Sequence, residues 1–223
     1  MLARFRIPGK FLLLAGALGL AGAGLRAADA ATVVWTVDNA TNIGGHATEV
    51  VGVPQAGAGA VVFDGAHDGV FVPAIPLAGA AQFTIEILFF PAEGGPSAQR
   101  FFHLQDVADW RVMIETRLDG KGGWWLDTYL GSPNGGTALI DPKRVHRTDQ
   151  WYWAAVRYDG KIMAHFVNGE QELAAGGVKF GPLGTGKISL GVRQNKLFWF
   201  KGAIREVRFT PAALPAEKLQ RAK

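Results

Sequence analysis

Residues 151–169 read W-Y-W-A-A-V-R-Y-D-G-K-I-M-A-H-F-V-N-G. Asp159-Gly160 separates two apolar runs, and Asn168-Gly169 closes the second. Both dipeptides tolerate positive φ at the two central positions of a type I′ turn, whose twist matches that of paired strands. Two such turns about nine residues apart predict three consecutive antiparallel strands. A sheet extended in this way needs no helix.

The same punctuation runs through the chain. Gly and Pro recur at short intervals, and the runs between them predict strands at 33–37, 48–53, 60–63, 70–72, 83–90, 100–105, 110–117, 124–130, 151–158, 161–167, 187–192 and 202–209. Such spacing is the signature of an all-β sandwich or barrel. Helix is expected only as a short C-terminal turn around Leu214-Pro215-Ala216-Glu217-Lys218-Leu219, after Thr210-Pro211.

Residues 1–30 have a different character. Arg4, Arg6 and Lys10 precede an uncharged run at 11–25, and small-residue sites follow at Leu25-Arg26-Ala27 and Ala28-Asp29-Ala30. This is the layout of a secretory signal peptide. The apolar run is shorter than the ~20 residues that span a bilayer, so the mature chain is expected to have no membrane span. Periplasmic or secreted localisation follows, and the Leu/Ala/Gly-rich leader fits a bacterial protein. The net charge of +4 is partly a property of this leader. Of 23 basic and 19 acidic residues, 19 and 18 remain after residue 30, and no basic patch argues for nucleic acid. With no cysteine, neither a disulfide nor a lipidated N-terminal cysteine is possible. A core must hold the domain, and Trp and Phe are plentiful enough to build one.

Several segments, in order, resemble one family. V-F-D-G-A-H-D-G-V-F-V-P at 62–73 resembles the F-D-G-x-x-D-x-V-x-V-P opening of laminin G-like, concanavalin A-like jelly rolls. Phe83-Thr84-Ile85-Glu86 is similar to the next strand, and residues 151–169 to the W-x-x-V-A-V-x-Y-D-G…Y-V-D-G core, with Asn168 for the usual Asp. G-A-I-R-E-V-R-F at 202–209 resembles the closing G-x-I-D-E-V-R-I-Y strand, with Arg205 for Asp, and residues 211–219 the A-L-S-x-E-E-L tail. The resemblance covers roughly 60 to 220. It implies a two-sheet antiparallel jelly-roll sandwich whose front sheet curves into a groove, here as a single domain over 31–223 with an added strand and loop at 31–59. Relatives bind glycans or extracellular proteins, often with a rim calcium, and related folds include glycoside hydrolases and polysaccharide lyases. The losses at Asn168 and Arg205 remove carboxylates that a calcium site would use. Asp64 and Asp68 remain as calcium candidates, although the first Asp of F-D-G-x-x-D suits a turn that bonds its own backbone. No metal ligand is assigned, and no cofactor beyond that calcium is expected.

Strand periodicity sorts the polar residues. Arg111, Met113, Glu115 and Arg117 share one face of 110–117, and Trp125, Asp127 and Tyr129 one face of 124–130. A hairpin centred near Lys121 sets Glu115 opposite Asp127 and Arg117 opposite Trp125. A sugar-binding groove wants aromatic faces beside carboxylates and arginines, and a glycosidase wants a carboxyl pair of split pKa. A solvated strand pair with salt bridges of small worth would look the same. Arg193 and Asn195, in Gly191-Val192-Arg193-Gln194-Asn195, are expected at the rim, as is His165; Gln99-Arg100…His103…Gln105 is a further candidate, and His46 beside two glycines another. The binding set is therefore Arg111, Glu115, Arg117, Trp125, Asp127, Tyr129, His165, Arg193 and Asn195. The functional expectation is an exported module that binds a carbohydrate or other extracytoplasmic ligand. The alternative is a glycan hydrolase or lyase using Glu115, Asp127 or His165. Gly181-Pro182-Leu183-Gly184-Thr185-Gly186-Lys187 is no P-loop, because Ile188 stands where Ser or Thr must hold magnesium and a strand follows.

Overall fold

The computed structural model describes residues 31–222. The signal-peptide reading concerns residues 1–30 and lies outside them. The strands are β1 Val33–Thr36, β2 Asn42–Ile43, β3 His46–Ala47, β4 Glu49–Val51, β5 Gln55–Gly57, β6 Ala60–Asp64, β7 Gly69–Val72, β8 Phe83–Pro91 and β9 Ala98–Asp106. They continue as β10 Arg111–Leu118, β11 Gly123–Ser132, β12 Gly135–Ile140, β13 His146–Arg147, β14 Tyr152–Tyr158, β15 Met163–Val167, β16 Glu170–Ala175, β17 Gly186–Leu190 and β18 Lys201–Thr210. A single 3-10 turn, Ala216–Lys218, follows.

Two antiparallel sheets carry nearly all of these strands. The first runs β16-β15-β14-β8-β18-β6-β5, with β1 also on β18. The second runs β12-β11-β10-β9-β17-β7-β4, with β13 on β11. Alternation explains the layering. In β8 the residues Phe83, Ile85, Ile87 and Phe89 point inward, and in β10 Val112 and Ile114 do. The two inner rows meet in one core where Phe89 stacks on Phe101 at 4.2 Å and meets Trp124 edge-on at 5.3 Å. Burying each such ring contributes roughly 1.5–3 kcal/mol.

Every expected strand is present. The short β2, β3, β5 and β13 were not expected, nor were β12 and β16. The last two extend hairpins at the sheet edges and carry little apolar pattern, so pairing with β11 and β15 specifies them more than composition does. The two turn dipeptides differ. Asn168 and Gly169 both have positive φ, 49° and 74°, as a type I′ turn demands. At the other turn only Gly160 does, and residues 159–162 form a four-residue loop. The Asp159 carboxylate accepts the N–H groups of Lys161 and Ile162 at 2.9 and 2.7 Å, so β15 begins at Met163 rather than Lys161.

The tail crosses the outer face of the first sheet. Thr84 donates to the Ala212 carbonyl and accepts from the Leu214 N–H, and Glu86 accepts from the Gln220 N–H at 2.7 Å. Leu219 packs on Ala155, Ala164 and Phe166. Burial beneath this tail raises the Glu86 pKa. The outer face of the second sheet is where the arginines and carboxylates of β9, β10 and β11 gather.

Candidate functional site

The β10–β11 hairpin has the register that alternation predicted, with Glu115 opposite Asp127, Arg117 opposite Trp125 and Met113 opposite Tyr129. On the other side of β10, strand β9 sets Arg100 opposite Glu115 and His103 opposite Met113. A register shift between Ile114 and Glu115 keeps Arg100 and His103 on one face although they are three residues apart.

An ion chain crosses this face. Arg100 Nε lies 2.8 Å from Glu115 Oε1. Arg117 Nη2 reaches Glu115 Oε2 at 3.3 Å and Asp127 Oδ2 at 2.6 Å, and Arg117 Nε donates to the same Asp127 oxygen at 2.8 Å. Glu115 is 2% exposed and Asp127 6%. Burial pushes the Glu115 carboxyl up to about 7; Arg100 and Arg117 oppose that rise, and Asp127 adds to it. One face thus holds a carboxyl poised near neutrality beside a second carboxylate braced by arginine.

Residues 191–200 fold over the β9 end of the face. The Gln194 N–H donates to His103 Nδ1 at 3.2 Å, and the Gln194 side-chain amide donates to the Lys187 carbonyl at 2.8 Å. The Phe198 ring covers the Arg100 guanidinium at 3.7 Å, and the Phe198 carbonyl accepts the Arg100 N–H at 2.9 Å. Burial, followed by the charges of Arg193, Arg111 and Arg100, drives the His103 pKa down to about 3, so the ring is neutral. Trp125 and Tyr129 are half-buried at the far side. Tyr129 lies against Gly131 and Gly136, where an added Cβ would come within 2.4 Å of its ring. Asn195 lines a depression of about 560 Å³ at the rim, with Gln105, Asp106 and Lys187.

Most of the sequence-predicted set meets here: Arg111, Glu115, Arg117, Trp125, Asp127 and Tyr129 on the hairpin, Asn195 at the rim, and Arg193 near enough for its charge to act on His103. His165 does not. It shares its row with Met163 and Val167, and that row faces the core. The ring is 1% exposed, within 2.9 Å of the Thr128 hydroxyl and 3.9 Å of Glu172 Oε2, between the sheets. Alternation grouped its neighbours correctly but could not tell which row was inward, and β15 belongs to the other sheet. His46 meets the Trp35 ring on its edge at 5.9 Å, away from this face. Phe198 escaped the sequence reading, because nothing in L-F-W-F at 197–200 tells which ring turns back over the sheet.

The residues available for a rim calcium do not fit one. Asp64 Oδ1 accepts the N–H groups of Ala66, His67 and Asp68, and Asp68 accepts those of Val53 and Asp64. Burial raises the Asp64 pKa, yet these backbone bonds outweigh it and hold the carboxyl down at about 2. Asn168 Oδ1 accepts the N–H groups of Trp153 and Ala222, and the Arg205 guanidinium lies over Trp151. No cluster of three or more His, Cys, Asp or Glu suited to a metal occurs among the described residues.

Two packed antiparallel sheets, closed by G-x-I-x-E-V-R and bearing a polar outer face, define a lectin-like jelly roll. The chain belongs to the laminin G-type family of the concanavalin A-like lectin/glucanases superfamily, whose model matches residues 64–220. No curated protein matches it in sequence. Among solved structures it is similar to domain 4 of AbnA, a GH43 extracellular arabinanase from Geobacillus stearothermophilus, in complex with arabinotriose; the TM-score is 0.59 at 19% identity, covering 86% of this chain and 97% of that one. It is similar to the botulinum neurotoxin serotype D binding domain, with a TM-score of 0.62 at 11% identity over 85% of this chain and 50% of that one. The Ruminococcus gnavus IT-sialidase CBM40 bound to alpha2,3 sialyllactose has a TM-score of 0.50 at 20% identity, over 62% and 80% of the two chains. At these identities the likeness concerns the fold.

Proposed function

We propose that the chain is an exported carbohydrate-binding module that receives a glycan on the outer face of its second sheet. The observation that carries this reading is the face itself: half-buried Trp125 and Tyr129 share it with the braced chain Arg100–Glu115–Arg117–Asp127. Aromatic rings cover the apolar face of a pyranose, while arginines and carboxylates bond its hydroxyls. That similar folds are seen with arabinotriose and with sialyllactose supports the reading by analogy of fold. Export rests on residues 1–30 alone.

One observation favours an enzyme: a carboxyl near pKa 7 facing a second carboxylate is the acid and base pairing of a glycosidase. Against it, both Glu115 oxygens face arginines and the residue is almost wholly buried, and His165 cannot assist. Binding is the better reading.

A glycan-array screen tests it, followed by titration of the best hit against Trp125→Ala and Arg111→Ala. Both variants are expected to keep the native melting temperature and lose about tenfold or more in affinity. Undiminished binding in folded variants would move the site elsewhere.

A further inference from the structure

Buried polar atoms without a partner are rare enough that each calls for an explanation. On the outer face of the second sheet they are all of one kind. Arg100 Nη1, His103 Nε2, Arg111 Nε and Trp125 Nε1 are buried and donate no hydrogen bond. The His103 proton is placed by its neighbour: the Gln194 N–H can only donate, so Nδ1 is the acceptor and Nε2 carries the hydrogen. Arg100 Nε is taken up by Glu115 Oε1 at 2.8 Å, which leaves Nη1 as its unpartnered donor. Every unpartnered group in this set is therefore an N–H donor, and no acceptor stands among them.

The charges agree. The cations acting on His103 are Arg193, Arg111 and Arg100, and no carboxylate offsets them. Among the described residues Arg193 makes no ion pair, and Arg111 pairs only with Asp109 through Nη2. The carboxylates of the face are committed to Arg117 and Arg100, and Glu115 is half neutral near pH 7. A patch of spare donors within positive potential discriminates for a ligand that brings acceptors and negative charge.

We infer that this face selects an acidic saccharide, one whose carboxylate or sulfate is received by Arg100, His103, Arg111 and Arg193 while Trp125 and Tyr129 cover a sugar ring. This rests on the carbohydrate-binding reading and deepens it. Arginine suits either group because its planar donors match two oxygens at once. The Phe198 ring, 38% exposed, covers the Arg100 guanidinium at the border of this set. His103 serves as a neutral donor, and its Nε2–H tautomer unfits it as a base.

The test is calorimetric titration of the full mature chain with a panel of oligosaccharides. Uronate oligomers are run beside their methyl esters, and sulfated oligomers beside their desulfated forms, at low and high salt. One acidic class is expected to bind, at least about tenfold tighter than its neutral counterpart, with affinity falling as salt rises. The two pairs tell carboxylate from sulfate. Arg193→Gln, at a position whose side chain makes no ion pair among the described residues, is expected to weaken the acidic ligand about tenfold and to shallow its salt dependence. Arg100→Lys keeps the charge near Glu115 but removes the planar fork, and should weaken the same ligand. Equal binding of acidic and neutral partners overturns the inference and leaves the carbohydrate module standing. No binding by any member, acidic or neutral, overturns both.

Discussion

His165 Nδ1 lies 2.9 Å from the Thr128 hydroxyl inside the sandwich, joining β15 of one sheet to β11 of the other. Glu172 approaches the opposite ring nitrogen at 3.9 Å and pairs with His146 at 2.7 Å. The candidate site lies on the far side of β11, and this histidine holds the two layers together.

Its effect on stability has a definite sign. Burial lowers the His165 pKa to about 4, whereas an unfolded histidine titrates near 6.5. Between those values the unfolded chain binds the extra proton, so stability falls as pH drops from about 6.5 towards 4. The full loss is about 3 kcal/mol on that difference. His165→Gln should shallow this acid limb in urea melts, while glycan affinity of the folded variant stays unchanged. Burial of His103 adds a second acid limb reaching down to about 3, which remains in the variant. An unchanged acid limb would show that His165 is not held neutral.

Glu115 gives the opposite slope. Its folded pKa is raised to about 7 from 4.5, so the native state keeps a proton that the unfolded chain has released. The resulting stability is fully present below about 4.5 and is lost as pH rises through 7, up to about 3 kcal/mol. Glu115→Gln should abolish this loss between pH 5 and 8, and thermal melts at the two pH values read it directly. A variant that melts in parallel with the parent at both would place the Glu115 pKa at its ordinary value.

Arg117 braces two buried carboxyls. Arg117→Ala leaves Asp127 without its bidentate partner, at a cost of about 3–5 kcal/mol by the usual penalty for an uncompensated buried charge. The double variant Arg117→Ala with Asp127→Asn should recover a large part of that. Denaturant midpoints of the single and double variants give the coupling directly. Additive losses would mean that the pair contributes nothing to the fold.

What the sequence disclosed follows from which features are local. The register of Glu115 with Asp127 was legible, because a short hairpin and a period of two determine it together. The family motifs placed β6, β14, β15 and β18, since turn residues and alternation are written into each. The row containing His165 was also legible, but its inward direction depends on the opposing sheet, far away in sequence. Arg100 and His103 lie on one face only because of a bulge, which no composition marks. The Phe198 cover depends on a loop in which Lys196 and Phe198 both take positive φ, 59° and 61°, in place of the glycine that would have signalled it.

Gly191 opens that loop and offers the sharpest test of the packing beneath it. Its φ is 78°, and an added Cβ would lie 2.1 Å from Phe63 Cδ1, whose ring is 1% exposed in the core. Gly177 has a similar φ of 72° with nothing within 4 Å of the same position. Left-handed strain alone costs about 1–2 kcal/mol, so Gly177→Ala should lose about that much. Gly191→Ala carries the same strain and must also move Phe63, and a total of about 3–5 kcal/mol is expected once overpacking is added. Urea midpoints of the two variants measure the difference. Equal losses would mean that Phe63 yields without cost and that the loop base is not packed against the core.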